Sequence, residues 1–135
     1  MDDLYRDEIL EHYRHPHHFG TLEHPDVVQE GSNPLCGDRL TLMLGIGETG
    51  VVDEVAFTGR GCAISQASAS MLTDMIRGQS LDEVSKLGRQ DILDELGIEI
   101  SPARLKCALL SVDTLRRALE GRVAWQASTE EPVAS

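Results

Sequence analysis

Cysteine is scarce in this chain. Three cysteines, Cys36, Cys62 and Cys107, cannot all pair, and no C-x-x-C occurs, so neither a disulfide framework nor the spacing of a zinc ribbon or finger is present. At 135 residues the chain is long enough for one hydrophobic core without covalent staples. Long apolar runs are missing as well. The longest, Leu40 to Ile46, is interrupted by Thr41 and Gly45 and falls far short of the roughly 20 residues that a membrane helix needs. Cations are few: 12 Lys and Arg stand against 23 Asp and Glu, a net charge of −11. Phosphate contacts need clustered Lys and Arg, so nucleic-acid binding is disfavoured, and Arg116-Arg117 reads as a solvated helix face among acids. A basic protein partner is compatible with this charge. Neither H-E-x-x-H nor H-x-E with P-C-x-x-C is found, which argues against a hydrolytic zinc enzyme. No charged-apolar-small signal pattern accompanies Met1-Asp2-Asp3, and the expectation is a soluble protein of the reducing cytoplasm.

What is present has a clear order. Residues 3 to 14 read as a helix, with Leu4, Tyr5, Ile9 and Tyr13 near one stripe and Pro16 closing it. The linker that follows, Arg14-His15-Pro16-His17-His18-Phe19-Gly20, is rich in histidine. It is proline-broken and has no acid or cysteine at ligand spacing, so an exposed loop is expected there rather than a metal site. Val27 to Glu30, Asp38 to Ile46 and Val51 to Phe57 read as three strands, the last two joined by the hairpin signal Gly47-Glu48-Thr49-Gly50. From Cys62 onward the pattern turns helical. Ala63 to Ile76 is stopped by Gly78, and its small residues, Ala67 to Ser70, allow another element to approach closely. Ser80 and Glu83 form a capping box for a short helix ending by Gly88, and Arg89 to Leu96 makes another, closed by Gly97. Ser101-Pro102 opens a last helix running to about Gly121. Strands grouped before helices predict an α+β domain: a three-stranded antiparallel sheet with helices on one face, plus the N-terminal helix. One domain over residues 1–121 and a flexible tail over 122–135 are expected.

The chemistry gathers at three places. Asn33-Pro34-Leu35-Cys36-Gly37-Asp38 reads as a turn presenting a thiol and a carboxylate, with Gly37 letting the chain pass close to what they hold. Cys62 follows Gly59-Arg60-Gly61 at a strand-to-helix junction. A thiol there feels the positive end of the helix dipole, which favours the thiolate needed for metal binding or sulfur attack; a small residue fitting a tight corner is the alternative. Cys107 lies in the last helix, off the stripe of Leu105, Leu109, Val112 and Leu119, with Leu110 on its own side; a core-filling cysteine is the alternative. Together Cys36, Asp38, Cys62 and Cys107 have the chemistry of one four-coordinate site, suited to Zn²⁺ and open to iron-sulfur chemistry. Asp38 would be the ligand most easily displaced. Three thiolates, one carboxylate and a divalent cation sum to about −2, so Arg60, Arg104 and Lys106 are candidate counter-charges.

With these motifs the chain resembles the U-type iron-sulfur cluster assembly proteins, the IscU and SufU group. The resemblance runs from about Asp3 to Gly121 and is carried by Leu4-Tyr5, Tyr13-x-x-Pro16, NPLCGD at 33 to 38, GRGCAISQASASMLTDMIRG at 59 to 78 and PARLKCALL at 102 to 110. It implies Cys36, Asp38, Cys62 and Cys107 as holders of zinc or a nascent [2Fe-2S] cluster. A cysteine desulfurase would be the partner, and downstream iron-sulfur assembly or acceptor proteins the recipients. One cysteine would take sulfur as a persulfide: Cys36 by the SufU pattern, Cys107 by the scaffold pattern. Lys106 stands where the scaffold branch has a histidine, and Pro102-Ala103-Arg104-x-Lys106-Cys107 follows SufU wording, although the segment from Gln79 to Ser101 lacks the usual SufU insertion. The reading that results is a SufU-like zinc sulfurtransferase, with Cys36 as acceptor and Arg104 and Lys106 in support; the alternative is a cluster scaffold.

Overall fold

The computed structural model describes residues 7–34 and 37–130, with side chains to residue 120. Leu4, Tyr5, Leu35 and Cys36 therefore lie outside the described residues, as do residues 131–135 of the expected tail. The order is α1 (Asp7–Arg14), β1 (Val27–Asn33), β2 (Asp38–Ile46), β3 (Val52–Arg60), α2 (Ala63–Ile76), α3 (Leu81–Ser85), α4 (Arg89–Leu96) and α5 (Pro102–Glu130). The strands form one antiparallel meander, β1-β2-β3, as their grouping predicted. At the expected hairpin, Gly47 N–H donates to Val51 O at 2.8 Å, and Gly50 takes φ +81°. Both β1 and β3 extend three residues beyond their apolar stretches, to Asn33 and Arg60, because the register of β2 carries pairing to Asn33↔Asp38 and Arg39↔Arg60. Polar residues join the ladder there because the β2 backbone continues, whatever their propensity.

Alternation on β2 sets the sheet's inner face. Leu40, Leu42 and Leu44 are buried, and Val55 and Phe57 stand beside them across the ladder. α2 packs against β3 and α5 against β1 and β2. Burying a side chain such as Leu or Phe contributes roughly 1.5–3 kcal/mol, so this layer is the main apolar term in stability. Gly31 marks the closest crossing: a Cβ there would lie 2.0 Å from Thr114 Oγ1 on α5.

Helix α2 is enclosed rather than amphipathic. Every residue from Ile64 to Thr73 is buried, and Ser111 Oγ of α5 donates to Ser68 Oγ at 3.4 Å. The small side chains from Ala67 to Ser70 allow neighbours on several sides. Of the expected capping box the Ser80 half is seen, Ser80 Oγ accepting from Glu83 N–H at 3.1 Å, while Glu83 Oε2 accepts from Lys86 Nζ at 3.3 Å. Gly88, read as a stop, is the N-cap of α4, its N–H donating to Asp91 Oδ2 at 2.7 Å, and Gly97 closes α4 at φ +68° as expected.

Three expectations need correction. Tyr13 is 45% exposed, so Ile9 alone among the described residues of α1 is fully buried. Leu105, placed on the apolar stripe of α5, is exposed, whereas every residue from Cys107 to Val112 is buried. The reason is that α5 meets the sheet, α2 and α4 together, and no single stripe can serve three neighbours. α5 also runs past Gly121 to Glu130. One interior glycine costs only about 1 kcal/mol, and Arg122, Ala124, Gln126, Ala127 and Glu130 after it are good helix formers.

The histidine loop is docked. His12 Nδ1 and Ser70 Oγ are 2.6 Å apart, and Ser70 Oγ also accepts from His17 N–H at 2.7 Å. His17 Nδ1 stands 2.6 Å from Asp74 Oδ2, and His18 Nδ1 2.9 Å from Thr73 Oγ1. Burial, followed by the neighbouring His17, pushes the His12 imidazole below its ordinary pKa. Further along, Gly20 N–H donates to Phe57 O and Phe57 N–H to His18 O, so the linker covers the free edge of β3. The acidic partner absent from the linker's own sequence comes from α2, 56 residues from His18.

Candidate metal centre

The turn after β1 starts the site. Gly37 N–H donates to Asn33 O at 2.8 Å and Gly37 takes φ +77°, a left-handed conformation open to glycine, which delivers the chain to Asp38 at the head of β2. Asp38 is 2% exposed, on an inner-facing position of the sheet. From the neighbouring strand, β3 ends at Arg60 and Gly61 leads into Cys62, the N-cap residue of α2. Gly61 is where the two segments come closest: a Cβ would lie 2.4 Å from Ser65 Oγ and 2.6 Å from Asp38 Oδ1. Ser65 Oγ donates to Cys62 O at 3.0 Å and pins this first turn. Cys107, 4% exposed, comes from the second turn of α5.

One carboxylate oxygen of Asp38 and the thiol sulfurs of Cys62 and Cys107 lie within 4.8 Å of one another. Three elements separated by up to 69 positions in sequence thus bring their ligand atoms to one point. Asp38 Oδ2 is fully buried and, among the described residues, has no hydrogen-bond partner. An unsatisfied buried carboxylate oxygen costs several kcal/mol in general, and a cation is the natural partner beside two thiols. Thiolate and carboxylate ligands at this separation fit Zn²⁺ or iron. Cys36, the remaining member of the predicted set, lies outside the described residues, two positions before Asp38.

A cavity of about 400 Å³ opens onto this cluster, lined by Asp38, Cys62 and Cys107 together with Arg60, Ala103 and Arg104. Two arginines are thus among the lining residues, and cations near a cluster of thiols and a carboxylate favour their ionised forms. Lys106 faces elsewhere: it lines an adjoining groove with Asn33, Pro34 and Arg116. The glycines before Cys62 in sequence leave the junction open to a close approach, and Asp38 makes it at Gly61; what the sequence reading missed is Ser65, whose role is visible only in the folded junction.

Comparison with known proteins places this geometry. Residues 4–127 match the family model described as the NifU-like N terminal domain. The chain is 36% identical to the iron-sulfur cluster assembly enzyme IscU of Drosophila melanogaster over 86% of this chain and 76% of that relative. To the zinc-dependent sulfurtransferase SufU of Bacillus subtilis (strain 168) it is 35% identical, over 87% and 90%. Among solved structures, an iron-sulfur cluster assembly scaffold protein for the SUF system from Fervidobacterium islandicum AW-1 superposes with a TM-score of 0.73 at 30% identity, covering 87% of this chain and 98% of that one. The cluster of Asp38, Cys62 and Cys107 at the meeting of sheet and helices accordingly sits in a chain that belongs to the U-type iron-sulfur cluster assembly family.

Proposed function

We propose that this protein acts in iron-sulfur cluster biogenesis as an acceptor of persulfide sulfur from a cysteine desulfurase, at a Cys₃Asp site made of Cys36, Asp38, Cys62 and Cys107. The observation that carries this reading is the convergence of Asp38, Cys62 and Cys107 within 4.8 Å, with one buried oxygen of Asp38 lacking a hydrogen-bond partner among the described residues. These residues would hold Zn²⁺, which when bound keeps thiols ionised at neutral pH. The Cys36 thiolate attacks the outer sulfur of the desulfurase persulfide. The sulfur-sulfur bond of that persulfide breaks, its electron pair leaves on the desulfurase cysteine as thiolate, and a persulfide forms on Cys36 with no net redox change. A carboxylate is a harder and weaker partner than a thiolate, so Asp38 is the residue that yields. Arg104, at the cavity wall, steadies the added negative charge, and Lys106 presents a cation to the approaching partner.

The compartment consistent with this chemistry is the cytoplasm. Among the described residues, no helix is long and apolar enough to cross a membrane. The experiment is zinc analysis of the purified protein with a desulfurase stimulation assay. About one zinc per chain and stimulation that disappears in Cys36→Ala are expected. Stimulation by Cys36→Ala equal to that of the parent would remove Cys36 from the acceptor role.

Similarity to IscU, at 36% identity, supports a second reading in which a [2Fe-2S] cluster is the cargo, assembled on the same four residues and passed on to apo-proteins. Anaerobic loading with iron and sulfide would then give visible absorption. Asp38→Ala would lengthen the lifetime of the bound cluster, and a shortened lifetime would count against Asp38 as the ligand that yields.

A further inference from the structure

The docked histidine loop holds a second constellation. His12 on α1, His17 in the loop and Asp74 near the end of α2 each offer one ligand atom, and these atoms lie within 4.8 Å of one another. The two imidazole rings are 4.4 Å apart between centroids and inclined by 47°. We propose that His12, His17 and Asp74 form a second divalent-cation site, separate from the cysteine cluster, which takes a borderline cation such as Zn²⁺ and clamps α1 and its loop onto α2.

Two imidazoles and a carboxylate are a ligand set that zinc accepts, with bond lengths of about 2.0–2.2 Å, and ligand atoms sharing one such ion stand about 3.5 Å apart. The triad therefore closes with small side-chain rotations. The side chains of His17 and Asp74 are 46% and 41% exposed, so the ion enters from solvent and keeps water in its remaining coordination. The triad sits in a hydrogen-bonded frame. Ser70 Oγ accepts from His17 N–H and lies 2.6 Å from His12 Nδ1. His18, held 2.9 Å from Thr73 Oγ1, places its ring nitrogen 3.6 Å from the second oxygen of Asp74, the kind of outer partner that orients a ligating carboxylate. Asp74 stands twelve residues beyond Cys62 on the same helix, about 18 Å along its axis, so the two sites do not share an ion. His17 and His18 have no role in the sulfur chemistry proposed above, and the clamp stands or falls without it. Because the ion binds the docked loop and not the undocked one, binding shows as added stability of the α1–α2 contact.

The test uses the full chain, stripped of metal and then given one equivalent of zinc for the cysteine cluster, followed by further Zn²⁺ under observation of the imidazole NMR signals. The His12 and His17 ring signals should shift and saturate together while those of His24 stay in place. Conversion of either exposed ligand, His17→Gln or Asp74→Asn, should weaken this event by at least about tenfold, since loss of even an outer partner costs about 10–100-fold. The first, cysteine-bound equivalent should be unaffected in both variants. Signals of His12 and His17 that stay unmoved through excess zinc would overturn the proposal, as would affinities in both variants equal to that of the parent.

Discussion

Gly61 has no room for a methyl group. Its missing Cβ would fall 2.4 Å from Ser65 Oγ and 2.6 Å from Asp38 Oδ1, so the junction and the carboxylate share one van der Waals surface. Gly61→Ala is expected to push Asp38 out of the ligand cluster, weakening zinc binding at least tenfold in a chelator competition, while costing about 1–3 kcal/mol in urea unfolding. Unchanged zinc affinity would show that Asp38 is not held in place by this contact. Ser80 is a simpler case. Its hydroxyl accepts from Glu83 N–H at 3.1 Å, and Ser80→Ala is expected to lower stability by about 0.5–2 kcal/mol without altering metal content. The measurement is the urea midpoint of the two proteins side by side.

Element by element, the sequence carried the parts whose signals are local. β2 and α2 start and end where alternation, Cys62 and Ile76 place them, and the caps at Ser80 and Gly97 work as their chemistry demands. Cys62 and Asp38 could be singled out because a thiol at a helix start and a carboxylate after an Asn-Pro turn are local features. What could not be read were the consequences of packing. Leu105 is apolar yet exposed, and Cys107, off the expected stripe, is buried, because α5 is pressed by three neighbours whose positions no single helix period records. The histidine loop is the clearest instance: its acidic partner, Asp74, lies on a distant helix, and only the docking of α1 on α2 brings them together. The crossing of α5 over β1 makes a related prediction. Gly31→Ala would place a Cβ 2.0 Å from Thr114 Oγ1, and since Thr114 is fully buried and its hydroxyl donates to Leu110 O, either that bond or the seating of α5 must give way. A loss of about 1–3 kcal/mol in urea unfolding is expected, with weakened zinc binding because α5 also carries Cys107. Full stability in that variant would mean that α5 is free to shift on the sheet.

At the scale of the whole molecule, the proposed ligands come from different layers. Asp38 belongs to the sheet, Cys62 to the start of α2 and Cys107 to α5, so an ion held by all three stabilises the contact between sheet and helices. Chelation is therefore expected to lower the thermal midpoint of the parent and to have little effect on a protein lacking Cys62 and Cys107. The net charge of −11 bears on the same architecture: the chain is acidic as a whole, yet Arg60 and Arg104 line the cavity, which suits the proposed gathering of thiolates there. The most direct test of a single shared site is X-ray absorption at the zinc edge, on protein holding one equivalent of zinc. The account predicts a shell of three thiolate sulfurs and one light atom, losing one sulfur in Cys62→Ser and one in Cys107→Ser. A shell of nitrogen and oxygen alone, or sulfur undiminished in those variants, would contradict it.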